Sequence, residues 1–234
     1  MALVLVGNLD VDKSVKIIEA SIKNNEPFNE PIKKLYPDEP NDISMPYIEK
    51  EMAIAMPMFM MGFKDNDVNL NGEQLMKKHI EITLLLRMLF GKGSDIYKKL
   101  YDMNLINKSF SYDYTMQCDY GFSALEGESR DPQRVYDIII EELDKLNETG
   151  LSEEDFERTK KVLWGQYIRS HNDIEDYAVT FMQMLFTGCD YFDYYDVYKT
   201  VTFDDVCKRF KTHFDKNYAA LSVVKPIEKS ETAE

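Results

Sequence analysis

Hydrophobic positions change period several times along the chain, and each change marks an element. Ala2–Val6 (ALVLV) is an unbroken apolar run closed by Gly7, the pattern of a buried strand. Asp10 then caps a helix whose apolar residues Val11, Val15, Ile18 and Ile22 recur at helical spacing. Glu51–Phe63 (EMAIAMPMFMMGF) reads as a strand with a Met-rich face, and Pro57 puts it at an edge or a bulge. Leu75, Ile82, Leu85, Leu86 and Leu89 predict a well-buried helix ending at Phe90, before Gly91 and Gly93. Ser94 opens a shorter helix with Tyr97, Leu100 and Tyr101. Phe110, Tyr112, Tyr114 and Met116 alternate with polar residues, and Tyr120–Glu126 follows, so the two runs predict a hairpin turning near Cys118–Asp119.

The remainder reads as mostly helical. Asp131 before Pro132 starts a helix that buries Val135, Ile138, Ile139, Leu143 and Leu146 and stops at Gly150. Ser152 caps the next, with Leu151 and Phe156 at staple positions. Asn172 with Glu175 resembles a capping box for a helix ending at Gly188. Thr202 with Asp205, flanked by Val201 and Val206, repeats the pattern. Ala219–Val224 is a last strand. Strands, then helices, then a strand predict α+β architecture.

Prolines 27, 31, 37, 40 and 46 cluster in one stretch, an expected extended linker over residues 25–45. This divides the chain into a terminal strand and helix (1–24), the linker, a main domain (46–227) and a polar tail (228–234). A strand and helix set apart in this way lack a sheet of their own to join.

Composition narrows the function classes. Of 234 residues, 44% are hydrophobic and 12% aromatic, which excludes wholesale disorder. The net charge of −14 argues against a phosphate-backbone partner, so no nucleic acid is expected. No apolar run is long enough for a membrane helix, and no secretory leader is expected before the opening strand. The three cysteines (118, 189 and 207) are odd in number and far apart. They read as free thiols in a reducing, cytoplasmic compartment.

No local motif carries catalysis. His79, His171 and His213 fall in neither H-E-x-x-H nor H-x-x-E-H, so no metal site is expected and the structural reading of each is favoured. Glu141–Glu142 and Glu153–Asp155 suit solvated faces and helix first turns. Gly91–Ser94 (GKGS) only faintly resembles a phosphate loop, lacking the spacer and the preceding strand. The Met-rich strand suits a core face, with a soft-metal or promiscuous surface as the alternative. Tyr191, Tyr194, Tyr195 and Tyr198 suit packing at helical spacing, with ligand stacking as the alternative.

Several segments, in order, resemble the second half of an insulinase/pitrilysin-type zinc metallopeptidase, the inverzincin family that includes mitochondrial processing peptidase. They are ALVLVGNLDVD, RMLFGKGSDIYKKLYDMNLI, SFSYDYTMQCDYGFSALEGESRDP, GLSEEDFERTKKVLWGQYIRS and the stretch from Phe181 to Phe210, together covering most of residues 2–226. The nearest likeness is to short bacterial two-domain members. The resemblance implies an α+β processing-peptidase-like roll, an antiparallel sheet with helices on one face. It also implies that Ala2–Val6 completes the sheet of a preceding N-terminal zinc domain, so that zinc belongs to the parent protein and this chain holds no cofactor. The implied role is non-catalytic: the domain encloses a peptide substrate, holds it along a strand edge and assembles with a second related subunit or as a homodimer. Family members carry an Arg and a Tyr seven residues apart that assist the scissile carbonyl. Aligned on Leu100, those positions are Tyr101 and Lys108, a departure that leaves either Lys108 as a substitute cation or, the favoured reading, the pair supplied by a partner. The chain alone is expected to be inactive as a peptidase. A non-enzymatic scaffold or assembly subunit of the same fold is the alternative.

Overall fold

A computed structural model describes residues 2–22 and 40–227. The expected linker (25–45) lies largely outside the described residues, and the tail (228–234) wholly so. Helix α1 (Val11–Ser21) is followed by strands β1 (Tyr47–Met52) and β2 (Met58–Asp65), then by helices α2 (Gly72–Phe90) and α3 (Asp95–Asp102). The hairpin β3 (Ser111–Met116) and β4 (Gly121–Glu128) comes next. Helices α4 (Pro132–Thr149), α5 (Glu153–Ser170), α6 (Ile174–Phe186), α7 (Tyr194–Thr200) and α8 (Phe203–His213) precede β5 (Ala219–Pro226). The strands form one sheet in the order β1-β5-β2-β4-β3. Neighbours are antiparallel from β5 to β3, while β1 joins β5 parallel.

Helices cover one face of the sheet. Phe59, Met61 and Phe63 of β2 point into that layer, whereas Met58 and Met60 are each 46% exposed on the other face. α2 lies at the centre of the helical layer, with Leu75, Ile80, Leu84, Leu85 and Phe90 buried and α8, α5, α7, α3 and β3 packed around it. Each such side chain contributes about 1.5–3 kcal/mol by leaving water. Among the described residues, no helix is long and apolar enough to cross a membrane.

Three expectations need correction. Glu51–Phe63 is two strands, not one. β1 and β2 flank opposite sides of β5, so the chain must break between them, and it does so ahead of Pro57, which has no N–H to donate to a ladder. Of the expected Met-rich core face, only Met61 is inside. Residues 2–6 pair with no strand among the described residues, and Leu3 and Leu5 are exposed; the sheet they are expected to complete belongs to a different domain. α1 forms under its Asp10 cap but buries no residue. Finally, Asp173 rather than Asn172 caps α6, accepting from the backbone N–H groups of Glu175 and Asp176. The other caps fall where the sequence set them: Asp131, Ser152, and Thr202 with Asp205 as a full capping box. Gly150, which follows α4 at φ 84°, takes the left-handed conformation that glycine tolerates.

A polar node is buried between sheet and helices. Asp65 accepts from Tyr114 Oη at 2.6 Å and pairs with Lys78 Nζ at 2.9 Å, and Lys78 also donates to the Asp67 carbonyl. Arg209 bridges Asp67 and Glu81. Burial pushes the Asp65 carboxyl up, but the Tyr114 hydroxyl and the Lys78 ammonium outweigh it and hold the group below the ordinary carboxylate range. His213 is 3% exposed, and its Nε2 lies 2.5 Å from Ser123 Oγ. Burial lowers its pKa to about 4, aided by Arg209 and Lys78 and opposed by Asp65. His79 is lowered in the same direction by burial.

Both imidazoles therefore stay neutral in the fold where the unfolded chain takes up protons. The full contribution is present above the unfolded value of about 6.5 and is lost as pH falls toward the folded value. Between pH 7 and 4.5, His213 alone should cost the fold about 2–3 kcal/mol. Urea midpoints across that range should fall more steeply for the wild type than for His213→Gln. Parallel slopes would show that His213 does not control this window.

Candidate functional site

The sheet has two free edges, and they differ in chemistry. β1 presents Glu49, Lys50 and Glu51, and Glu49 pairs with Lys225 of β5 at 2.7 Å. Charges of this kind protect an edge against further pairing. β3 is the other edge. Among the described residues it pairs only with β4, so the outward half of its backbone N–H and C=O groups has no strand partner there.

Two cavities run alongside β3. The first, about 550 Å³, lies where β3 begins. Phe110, Ser111 and Tyr112 form one wall, the turn from Arg87 to Ser94 a second, and Arg158, Thr159 and Val162 of α5 a third. The second, about 680 Å³, continues along Asp113–Gln117. His79 of α2 contributes to it, with Thr180, Gln183 and Thr187 opposite. In succession they border β3 from end to end, with α2, α5 and α6 supplying the other walls, and form the trough beside the edge strand.

Local sequence explains the first cavity. α2 ends at Phe90 with Gly91 as its C-cap, and α3 begins after its N-cap Ser94, whose Oγ accepts from Tyr97 N–H at 3.1 Å. The turn is tight: a Cβ on Gly91 would stand 2.5 Å from the Arg87 carbonyl oxygen. Arg87 is oriented by Gln166 of α5, whose Oε1 accepts from its guanidinium at 2.7 Å. The buried rings of Phe90, Tyr97 and Phe110 lie beneath. Burial raises the pKa of Tyr112, so this phenol stays protonated at neutral pH and available as a donor.

Tyr101, near the end of α3, and Lys108, in the connection that follows, lead toward this cavity but do not line it. Tyr101 is exposed on α3 and stacks on Tyr97 at 5.9 Å, and Lys108 is exposed in the turn before β3. The GKGS segment lines the cavity, which its sequence pattern alone did not argue. Tyr191, Tyr194 and Tyr198 are buried in an aromatic cluster with Tyr167, the packing role expected of them, while Tyr195 is half exposed beside Trp164.

Zinc does not fit the residues present. Among the described residues, no three His, Cys, Asp or Glu side chains gather as a ligand set. His79 and His213 both contact the Tyr114 ring, whereas His171 belongs to the Tyr167–Tyr191 cluster. The buried Ser123–His213 pair, invisible in the sequence, is no nucleophilic dyad: the residues are 0% and 3% exposed, so no substrate reaches Oγ.

A five-stranded sheet with helices on one face and a trough along its edge strand defines the class, and sequence comparison supplies the family. The profile of the Peptidase M16 inactive domain matches residues 1–163, so the chain belongs to that family. It is 27% identical over 208 residues to the zinc protease YmfH of Bacillus subtilis, a match covering 88% of this chain and 48% of YmfH. An M16-like peptidase from Alicyclobacillus acidocaldarius superposes with a TM-score of 0.86 at 26% identity, over 94% of this chain and 53% of that one. The inactive peptidase domain of a zinc protease from Bordetella parapertussis shares the fold, with a TM-score of 0.64 at 17% identity, over 78% of this chain and 97% of its own. The chain thus spans about half the length of the first two relatives.

Gly91→Ala should destabilise the protein by about 1–3 kcal/mol, because backbone rather than a flexible side chain meets the new methyl. Gly165→Ala, where nothing lies within 4 Å, should not destabilise it. Equal thermal midpoints for the two variants would refute the tight-turn account.

Proposed function

We propose that the chain is the non-catalytic half of a zinc peptidase and holds an extended peptide along β3, opposite a zinc-bearing domain outside this chain. The observation that carries this reading is the open β3 edge lined by two cavities. An extended peptide can add as a further strand, its backbone bonding to the edge and alternate side chains entering the trough. Tyr101 and Lys108 are proposed peptide contacts, because their connection delivers the chain to the first cavity. The apolar, exposed Leu3 and Leu5 and the unburied α1 support the view that residues 2–22 pack on that zinc domain and extend its sheet. Half-length coverage of YmfH and of the Alicyclobacillus peptidase agrees with a second half of similar size.

Adding an unfolded peptide should slow amide exchange at alternate residues of β3. With zinc supplied, the chain alone should give no chelator-sensitive cleavage. Slowing confined to β1, or turnover that a chelator abolishes, would defeat the reading. Failure to bind any peptide would favour the scaffold role instead.

A further inference from the structure

We propose that the cavity at the start of β3 is a carboxylate-accepting subsite, in which Arg87, Lys92 and Arg158 receive an acidic group of the bound peptide. The inference rests on the peptide-holding reading above and adds the chemistry of one position. The chain carries −14 overall, yet three of this cavity's lining residues are cations and none is a carboxylate. Among the described residues, Arg87 and Lys92 have no carboxylate partner; Arg87 is fixed by the neutral Gln166, which leaves its charge uncompensated. Arg158 pairs with Asp155 at 2.5 Å through Nη2. Its Nη1 lies over Gly93, 3.7 Å from where a Cβ would stand, on the cavity side.

Two features make this more than a surface patch of bases. The rings of Phe90, Tyr97 and Phe110 are 1%, 8% and 6% exposed, so the floor is apolar, and a charge pair above it is screened less than one in open water. Ser111 and Tyr112 line the same space, so a peptide laid on the β3 edge at this point would direct a side chain, or its C-terminal carboxylate, toward the guanidinium groups. Arg87 and Arg158 line the cavity from two helices, α2 and α5; Gln166 engages Nη1 of the first and Asp155 Nη2 of the second, and the remaining N–H groups of each guanidinium suit a carboxylate. The next cavity carries Asp113 instead, so the acid preference should apply to one position of the peptide and not to its whole length.

Fluorescence anisotropy with the full chain tests this. The probes are C-terminally amidated, otherwise neutral unfolded peptides carrying Glu, Gln or Lys at one scanned position, and one neutral peptide with a free C-terminus. At low salt, the Glu peptide at one register, or the free-terminus peptide, should bind roughly five-fold or more tighter than the Gln peptide. The Lys peptide should bind more weakly at that register. The advantage should shrink with added salt and vanish in Arg87→Gln/Arg158→Gln. Lys92→Gln, at an exposed turn position, should reduce it about two-fold without affecting the fold, which circular dichroism checks. Equal binding of the Glu and Gln peptides at every register, with a weak free-terminus peptide, would overturn the subsite while leaving the peptide-holding reading intact. Binding of no peptide at all would overturn both.

Discussion

The buried contact between Lys78 and Asp65 is the constraint on which the site depends. Lys78 is 2% exposed and Asp65 5%, so neither charge is solvated, and each requires the other. Tyr114 completes the carboxylate's partners from β3. The node therefore joins the end of β2, the middle of α2 and the middle of β3. α2 is held beside the edge strand, and its last turn, with Arg87, is set against the start of β3. Asp67 extends the tie through Arg209 to α8. Removing Lys78 would leave Asp65 buried with the Tyr114 hydroxyl and the Asp67 N–H but no cation.

Around this node the chain divides its open surfaces. The β1 edge is charged, with Glu49 engaged by Lys225, and so discourages further strands. Beside β3, residues of α5 and α6 wall the two cavities. The helix-free face of the sheet exposes Met58, Met60 and Phe122. Leu3, Leu5 and α1 stand apart from the domain core. A chain that belongs to the M16 inactive-domain family thus keeps an edge strand beside a cleft, while among the described residues no ligand set for a metal gathers.

Much of this was legible in the sequence. Helix starts at Asp131, Ser152 and Thr202 could be read because a cap is a local bond spanning three residues. The β3–β4 hairpin followed from strict alternation between Phe110 and Met116. The break between β1 and β2 was hidden because its cause, β5, lies at the other end of the chain. The node was hidden for the same reason: Tyr114 and Asp65 are separated by 49 positions, and Arg209 and Asp67 by 142. Asn172 misled because Asp173, an equally good cap, stands one residue later. The cationic cavity was masked by the overall charge, since composition averages over a surface that the fold divides.

Photo-cross-linking tests the central claim that β3 is the peptide-holding edge. An unfolded peptide bearing a photoreactive residue is irradiated with the chain, and the adducts are located by mass spectrometry. The account predicts adducts within Phe110–Gln117 and on the facing positions of α5 and α6, lost when excess unlabelled peptide competes. Adducts concentrated on Met58, Met60 and Phe122, on the opposite face of the sheet, would contradict it.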